Sequence, residues 1–408
     1  MYQVILLIQL SKIFIMFQRA HLQTLIKRLE EPRRFIQVVL GPRQVGKSTM
    51  VQQMLTKMNL PFHSVSADGV MASNAVWLTE QWEVARVKKK ASGTNEFLLV
   101  IDEIQKIKNW SETVKALWDL DTQNNTGIKL VLLGSSKLIL QEGLTESLAG
   151  RFEKIFMGHW SLQEMETAFG YDAATYAWFG GYPGAATMIQ DEPRWKQYIK
   201  DALIETSILK DVLMLSRIEK PTLMKHLFEL GCLYSGQILS FTKIMGQLHE
   251  AGNTTTLSHY LSLLDTAGLL TGIEKYANNT IRKRSSSPKF QVYNNALISA
   301  QSTDTFEMVQ KDPAKWGRIV ESAVGAHLLN QSLTEQFELS YWREGSAEVD
   351  FVLKKQDKII AIEVKSSKAA ITDGMRKFKT QFSPNKMLLV GADGLPWEQF
   401  LKTDIAGL

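Results

Sequence analysis

From Phe17 to about Trp160, short apolar runs alternate with longer stretches of helical period. FIQVVL from Phe35, FHSVSA from Phe62, FLLVI from Phe97, KLVLLG from Lys129 and EKIFMG from Glu153 have the length of strands, and the intervals between them suit crossover helices. This alternation predicts an α/β core with a parallel sheet over residues 17–160. Over 161–230 the strand signal fades and helical periodicity takes over, broken by the turn Gly180-Gly181-Tyr182-Pro183-Gly184, which predicts a helical lid or linker. Residues 231–300 follow a different order: a short helix from Phe241, a turn at Ala251-Gly252, and a second helix from Thr255 to Ala267 carrying Leu257, Tyr260, Leu261 and Leu264. The strands LLTGIEKY and KFQVYN come next, and this order predicts a winged helix-turn-helix. Residues 310–408 read as a helix, the strands ELSYWR, EVDFVL and KIIAIEVK, a further helix and the strand KMLLV.

The opening MYQVILLIQLSKIFIMF is apolar, but Lys12 interrupts it, no basic segment precedes it and no small-residue cleavage site follows. Residues 1–16 are therefore expected to be an extension rather than a membrane span, with Met16 as an alternative start leading into the amphipathic MFQRAHLQTLIKRL. The 408 residues suggest two or three domains, and 45% hydrophobic with 22% charged residues is ordinary for a globular protein. A net charge of +5 permits contact with nucleic acid without requiring it. Cys232 is the only cysteine, which excludes an intrachain disulfide or a cysteine-based zinc site and favours a reducing cytoplasm.

Gly41-Pro42-Arg43-Gln44-Val45-Gly46-Lys47-Ser48, with Thr49 adjoining, has the form G-x-x-x-x-G-K-[ST] between a strand and a helix. Two glycines let backbone N–H groups turn inward around phosphates, the lysine reaches the β and γ oxygens, and the serine hydroxyl ligates Mg²⁺. ATP with Mg²⁺ is the expected ligand. FLLVIDE, ending in Asp102 and Glu103, supplies the second half of such a site: Asp102 to hold the Mg²⁺ shell with Ser48, and Glu103 to polarise the attacking water. At the tip of the next strand, Ser135-Ser136 offers a hydroxyl to the lytic water or the γ-phosphate, or merely forms a turn. Arg151, just before EKIFMG, stands where an arginine finger reaches a neighbouring copy's ATP; the alternative is a surface ion pair.

GPRQVGKST, LLVIDEIQKI with Trp110 soon after, LLGSS, SLAGRF, GGYPGA, and the C-terminal EVDFVL and IEVKSS resemble, in order, the prokaryotic AAA-type ATPases that carry a restriction-endonuclease-like C-terminal domain. The resemblance spans nearly the whole chain after Met16. It implies an AAA+ core, a winged-helix segment and a nuclease-like fold, and it supports the finger reading of Arg151. In the C-terminal part, Asp350, Glu363 and Lys365 form D-x₁₂-E-x-K across two strands, with Glu363 and Lys365 on one face. Asp350 and Glu363 are expected to share a Mg²⁺, with Lys365 assisting the nucleophile, and Glu321 resembles the additional acid that this superfamily draws from its first helix. An inactive binding module remains the alternative.

In the winged-helix segment, Asn253 to Thr256 cap the second helix, and Arg282, Lys283, Arg284 and Lys289 form a basic wing suited to DNA phosphates. The reading that unites these features is an ATP-hydrolysing protein, able to form homo-oligomers, whose nucleotide cycle controls a DNA-directed and nuclease-like module. The competing reading is an ATP-dependent switch whose C-terminal domain is a non-catalytic scaffold for a protein partner. No acceptor-site signature supports a small-molecule phosphotransferase.

Overall fold

The computed structural model describes residues 17–71, 75–135, 147–207, 212, 218–247, 253–277, 286–365, 372–391 and 393–407. The expected N-terminal extension, Ser136 and the wing residues Arg282, Lys283 and Arg284 lie outside the described residues.

Five strands, β1 (Ile36–Gly41), β2 (Phe62–Ser66), β3 (Phe97–Asp102), β4 (Ile128–Ser135) and β5 (Phe152–Phe156), form a sheet in the order β2-β3-β4-β1-β5. Every pair in it is parallel. Strand alternation divides its apolar residues between two layers. Val39, Leu98, Val100, Val131 and Leu133 meet Leu22, Leu25 and Leu29 of helix α1 (His21–Glu30), together with Met50 and Met54 of α2 (Lys47–Lys57). Val38, Leu40, Leu99, Ile101, Leu130 and Leu132 meet Trp82 of α3 (Ala75–Ser92) and Trp110, Val114 and Trp118 of α4 (Trp110–Gln123). Asp121 fastens that second layer by accepting the indole N–H of Trp82 at 2.7 Å and the Arg86 guanidinium at 2.7 and 2.9 Å.

The rest of the chain packs around one further core. Helices α5 (Leu162–Phe169), α6 (Ala173–Phe179), α7 (Pro221–Leu233), α8 (Phe241–Gln247) and α9 (Thr254–Thr266) precede the ribbon of β6 (Leu270–Lys275) and β7 (Lys289–Val292). Helix α10 (Pro313–Glu335), strands β8 (Glu338–Glu344), β9 (Ala347–Lys355) and β10 (Lys358–Lys365), helix α11 (Asp373–Phe382) and β11 (Lys386–Gly391) follow. The sequence pattern separates the segments 231–300 and 310–408, yet they share one sheet in the order β11-β10-β9-β8-β6-β7. The join is a short parallel pairing of Glu274 and Lys275 with Ser340 and Tyr341. Trp178, Trp195, Phe228, Phe290, Phe351 and Phe400, from every part of this half, bury their side chains in the common core. At roughly 1.5–3 kcal/mol for each large apolar side chain, such a core resists separation into independent pieces. Among the described residues no helix is long and apolar enough to cross a membrane.

Candidate functional site

The loop Gly41 to Ser48 leaves the carboxyl end of β1 and enters α2, at the edge of a parallel sheet where ligands of open α/β folds bind. Both signature glycines answer a geometric need. Gly46 caps α2 at φ 92°, a left-handed conformation, without a side-chain cap, so the first-turn amides face the loop. A Cβ on Gly41 would lie 2.1 Å from the carbonyl oxygen of Met157, where the chain leaves β5. Gly41, Pro42, Val45 and Lys47 are buried, whereas Arg43 and Gly46 are half-buried and Gln44, Ser48 and Thr49 are exposed.

Lys47 curls over the loop, its Nζ donating to the carbonyls of Gly41 at 2.8 Å and Pro42 at 2.7 Å. Ser48 Oγ donates to Asp102 Oδ2 at 2.7 Å, which brings the hydroxyl and carboxylate together from 54 residues apart. This oxygen pair suits a hard divalent cation such as Mg²⁺. Glu103 stands just past β3 in a left-handed conformation, φ 55°, an outlier of the kind that collects at functional sites. Its N–H donates to Asp102 Oδ1 at 2.8 Å, and its Oε2 accepts from Gln105 Nε2 at 2.8 Å. Ser135 ends β4 in register with Gly41.

Sequence reasoning missed the residues that brace this loop from outside. Val45 O accepts from the Trp160 indole at 2.9 Å and from Arg19 Nη1 at 3.3 Å, while Arg19 is itself paired with Glu164 at 2.7 Å. Tyr198 OH donates to Gln44 Oε1 at 3.0 Å. Gly268, in the turn between α9 and β6, lies so close that a Cβ there would sit 2.8 Å from Pro42 Cγ. Tyr198 and Gly268 come from the second half of the molecule, and no local signal marks either as a neighbour of the loop.

The C-terminal residues gather beneath α10. Asp350 Oδ2 accepts the N–H of Val364 at 2.8 Å, where the β9–β10 ladder gives way to a side-chain contact. Glu363 Oε1 pairs with Lys365 Nζ at 2.9 Å, and Glu363 Oε2 is buried without a partner. Lys289, which the sequence pattern assigns to the basic wing, is instead fully buried in this cluster. Its ammonium donates to Glu321 Oε1 at 2.8 Å and to the Asp350 carbonyl at 3.2 Å, and it lies 3.6 Å from Asp350 Oδ1 and 3.9 Å from Glu348 Oε1. KFQV is buried at all four positions, and a lysine entering such a strand needs an internal acid.

Burial, and then the charge of Asp350, push the Glu363 carboxyl up to about 7. Burial likewise raises Glu321 and Glu348, against the opposing pull of Lys289. For Lys289 burial favours the neutral amine, but Glu321, Asp350 and Glu348 outweigh it and raise its pKa, so it stays charged. The expected Mg²⁺ ligands are Asp350 and Glu363 with Glu321 as a further acid, and an ammonium stands between Glu321 and Asp350, so Glu321 is paired with Lys289 rather than turned to such an ion.

Residues 33–166 match the family model of an AAA domain. Two domains of unknown function follow, DUF8612 over residues 171–307 and DUF4143 over 316–397. An uncharacterized protein of Haemophilus influenzae is 24% identical over 349 residues, 81% of this chain and 82% of its own. The uncharacterized protein MJ1544 of Methanocaldococcus jannaschii is 23% identical over 343 residues, 79% of this chain and 73% of its own. Among solved structures, the Aeropyrum pernix ORC1 protein in complex with DNA matches 72% of this chain and 93% of its own at 13% identity and TM-score 0.32. A RuvB variant of Thermotoga maritima matches 62% and 86% at 16% identity and TM-score 0.34. The AAA match, together with the loop, supports ATP binding and hydrolysis in the N-terminal half.

Within the AAA domain Arg151 stands at the start of β5, where its carbonyl accepts the N–H of Ile36 at 2.8 Å. It is therefore at the opposite end of β1 from the phosphate loop, roughly 17 Å away at strand rise, beyond reach of its own loop. Its guanidinium grips both oxygens of Asp119, at 2.8 and 3.0 Å. Beyond the AAA domain, α9 turns Leu257, Tyr260, Leu261 and Leu264 inward and exposes Thr254, Thr255, Ser258, His259 and Ser262, a polar face without a lysine or arginine.

Proposed function

We propose that this chain hydrolyses ATP at Gly41–Ser48 and passes the nucleotide state to its C-terminal half. The observation that carries the reading is the Ser48–Asp102 contact at 2.7 Å at the mouth of a glycine-shaped loop. Gly46 and the first turn of α2 cradle the phosphates, and Lys47 leaves the carbonyls of Gly41 and Pro42 to meet the β and γ oxygens. Ser48 and Asp102 would hold Mg²⁺, which when bound neutralises charge developing on the β- and γ-phosphate oxygens. Glu103, released from Gln105, orients and deprotonates the attacking water, and Ser135, whose backbone ends β4 in register with Gly41, supplies a second hydroxyl to it. Arg151 serves a second copy of the chain, leaving Asp119 to do so, since it stands too far from its own loop.

Two contacts make the loop legible to the rest of the molecule. A Gln44 displaced by phosphate lets go of Tyr198, and a Pro42 that shifts presses on Gly268 at the entrance to the β6–β7 ribbon. That ribbon continues into the C-terminal sheet. The output is then a movement of α9 and the C-terminal sheet. Of the two outputs that the sequence suggests, the Lys289 ammonium favours a non-catalytic module over a metal-dependent nuclease. DNA remains the partner to test first, through the exposed face of α9 and Arg282–Arg284.

Lys47→Ala is expected to abolish nucleotide binding, and Glu103→Gln to retain ATP without turning it over. Turnover in the Lys47→Ala protein equal to wild type would sink the assignment. Cleavage of DNA or RNA by the intact protein with Mg²⁺ or Mn²⁺ and ATP, lost in Asp350→Ala, would reinstate the nuclease.

A further inference from the structure

We propose that Lys289 is the resident cation of the C-terminal carboxylate cluster, occupying with a fixed ammonium the position that Glu321 and Asp350 would offer to a divalent metal. Four observations converge on it. The side chain is wholly buried, so its carboxylate partners rather than water solvate the ammonium. Its backbone is pinned on both sides, paired with Ile273 of β6 and bridged to Ile238. The ammonium meets one carboxylate from α10 and one from β9, with Glu348 a little further off, and it rests 4.6 Å above the Phe351 ring. Glu363, the acid the metal would need next, is turned to Lys365 and leaves its second oxygen buried and unpartnered.

A divalent ion among these oxygens would lie within a few ångströms of a charge of the same sign, and such a like-charge contact is unfavourable. Metal and Lys289 are therefore mutually exclusive. The lysine also does what a metal does in bridging elements, because it ties β7 of the ribbon to α10 and to β9 by charge-assisted bonds. The same three elements lie on the path from Gly268 into the C-terminal sheet. None of this depends on nucleotide binding at Gly41–Ser48.

The test is a Mn²⁺ titration of the full chain without nucleotide, followed by the loss of the free-ion signal in electron paramagnetic resonance. Wild type and Asp350→Asn are expected to take up the same amount of Mn²⁺, since any ion at Ser48 and Asp102 contributes equally to both. Lys289→Met, which keeps the unbranched apolar stem and removes the ammonium, is expected to gain one Mn²⁺ per chain at least tenfold more tightly than wild type, and Lys289→Met/Asp350→Asn to lose it again. Wild-type uptake that exceeds Asp350→Asn by one ion per chain overturns the proposal, as does a folded Lys289→Met protein that gains none. If Lys289→Met fails to fold, the comparison of wild type with Asp350→Asn decides alone.

Discussion

Replacing Glu363 by glutamine should change how stability depends on pH more than it changes stability at any one pH. The carboxyl is 4% exposed, one of its oxygens has no partner, and burial with the nearby Asp350 raises it from 4.5 to about 7. A folded state that binds the proton more tightly than the unfolded chain is favoured where the group is protonated. The contribution is complete below the unfolded value and lost as pH rises through the folded one. At about 1.4 kcal/mol per unit, ionised Glu363 costs the fold about 3 kcal/mol, with its pairing to Lys365 already included. Glutamine has nearly the same shape and no charge to bury. Relative to wild type, Glu363→Gln should therefore gain about 3 kcal/mol between roughly pH 4.5 and pH 8, while loss of the half-buried Lys365 partner adds a constant offset. Urea unfolding followed by tryptophan fluorescence across that range measures the difference directly. A mutant-minus-wild-type difference that does not vary with pH would refute the reasoning.

Asp121→Ala should cost about 3 kcal/mol, because it strands the buried Trp82 N–H and leaves the Arg86 guanidinium only its exposed partner Glu83; thermal unfolding of the full chain reads it. Gly41→Ala, whose methyl would meet Met157 O at 2.1 Å, should leave circular dichroism near wild type yet abolish binding of a fluorescent ATP analogue. Gly268→Ala places a methyl 2.8 Å from Pro42 Cγ at φ +71°, and at roughly 1–3 kcal/mol of strain it should raise the KM for ATP about tenfold from a position outside the AAA domain. If Arg151 works in trans, the specific activity of wild type should rise with protein concentration, and that rise should vanish in Arg151→Ala.

Much of the AAA domain was legible along the chain because its determinants are local. The runs around Val38 and Val39, or Leu98 and Leu99, feed two helical layers from one strand, and an uninterrupted apolar strand between helical segments states this in advance. Gly46 is needed by its own backbone angle, so the loop and its helix can be read within one stretch. Asp102 could be paired with Ser48 because Asp102 ends one parallel strand and Ser48 opens the helix that follows the carboxyl end of another, where the order of elements already places them.

Lys289 shows where that legibility stops. Its partners lie 32 and 61 residues away, and its meaning depends on β6 pairing with β8 and on α10 lying across the ribbon. Along the chain it is one more cation after Arg282, Lys283 and Arg284; in the fold it neutralises an acid cluster. The grip of Tyr198 on Gln44 and of Gly268 on Pro42 was hidden for the same reason. The sequence by itself determined the elements, the phosphate loop and the residue types available for chemistry, since backbone preference and side-chain period act over a few residues. The tertiary structure alone decided which charges meet. Electrostatic energy depends on distance and burial, and neither is written in the spacing of residues along a chain.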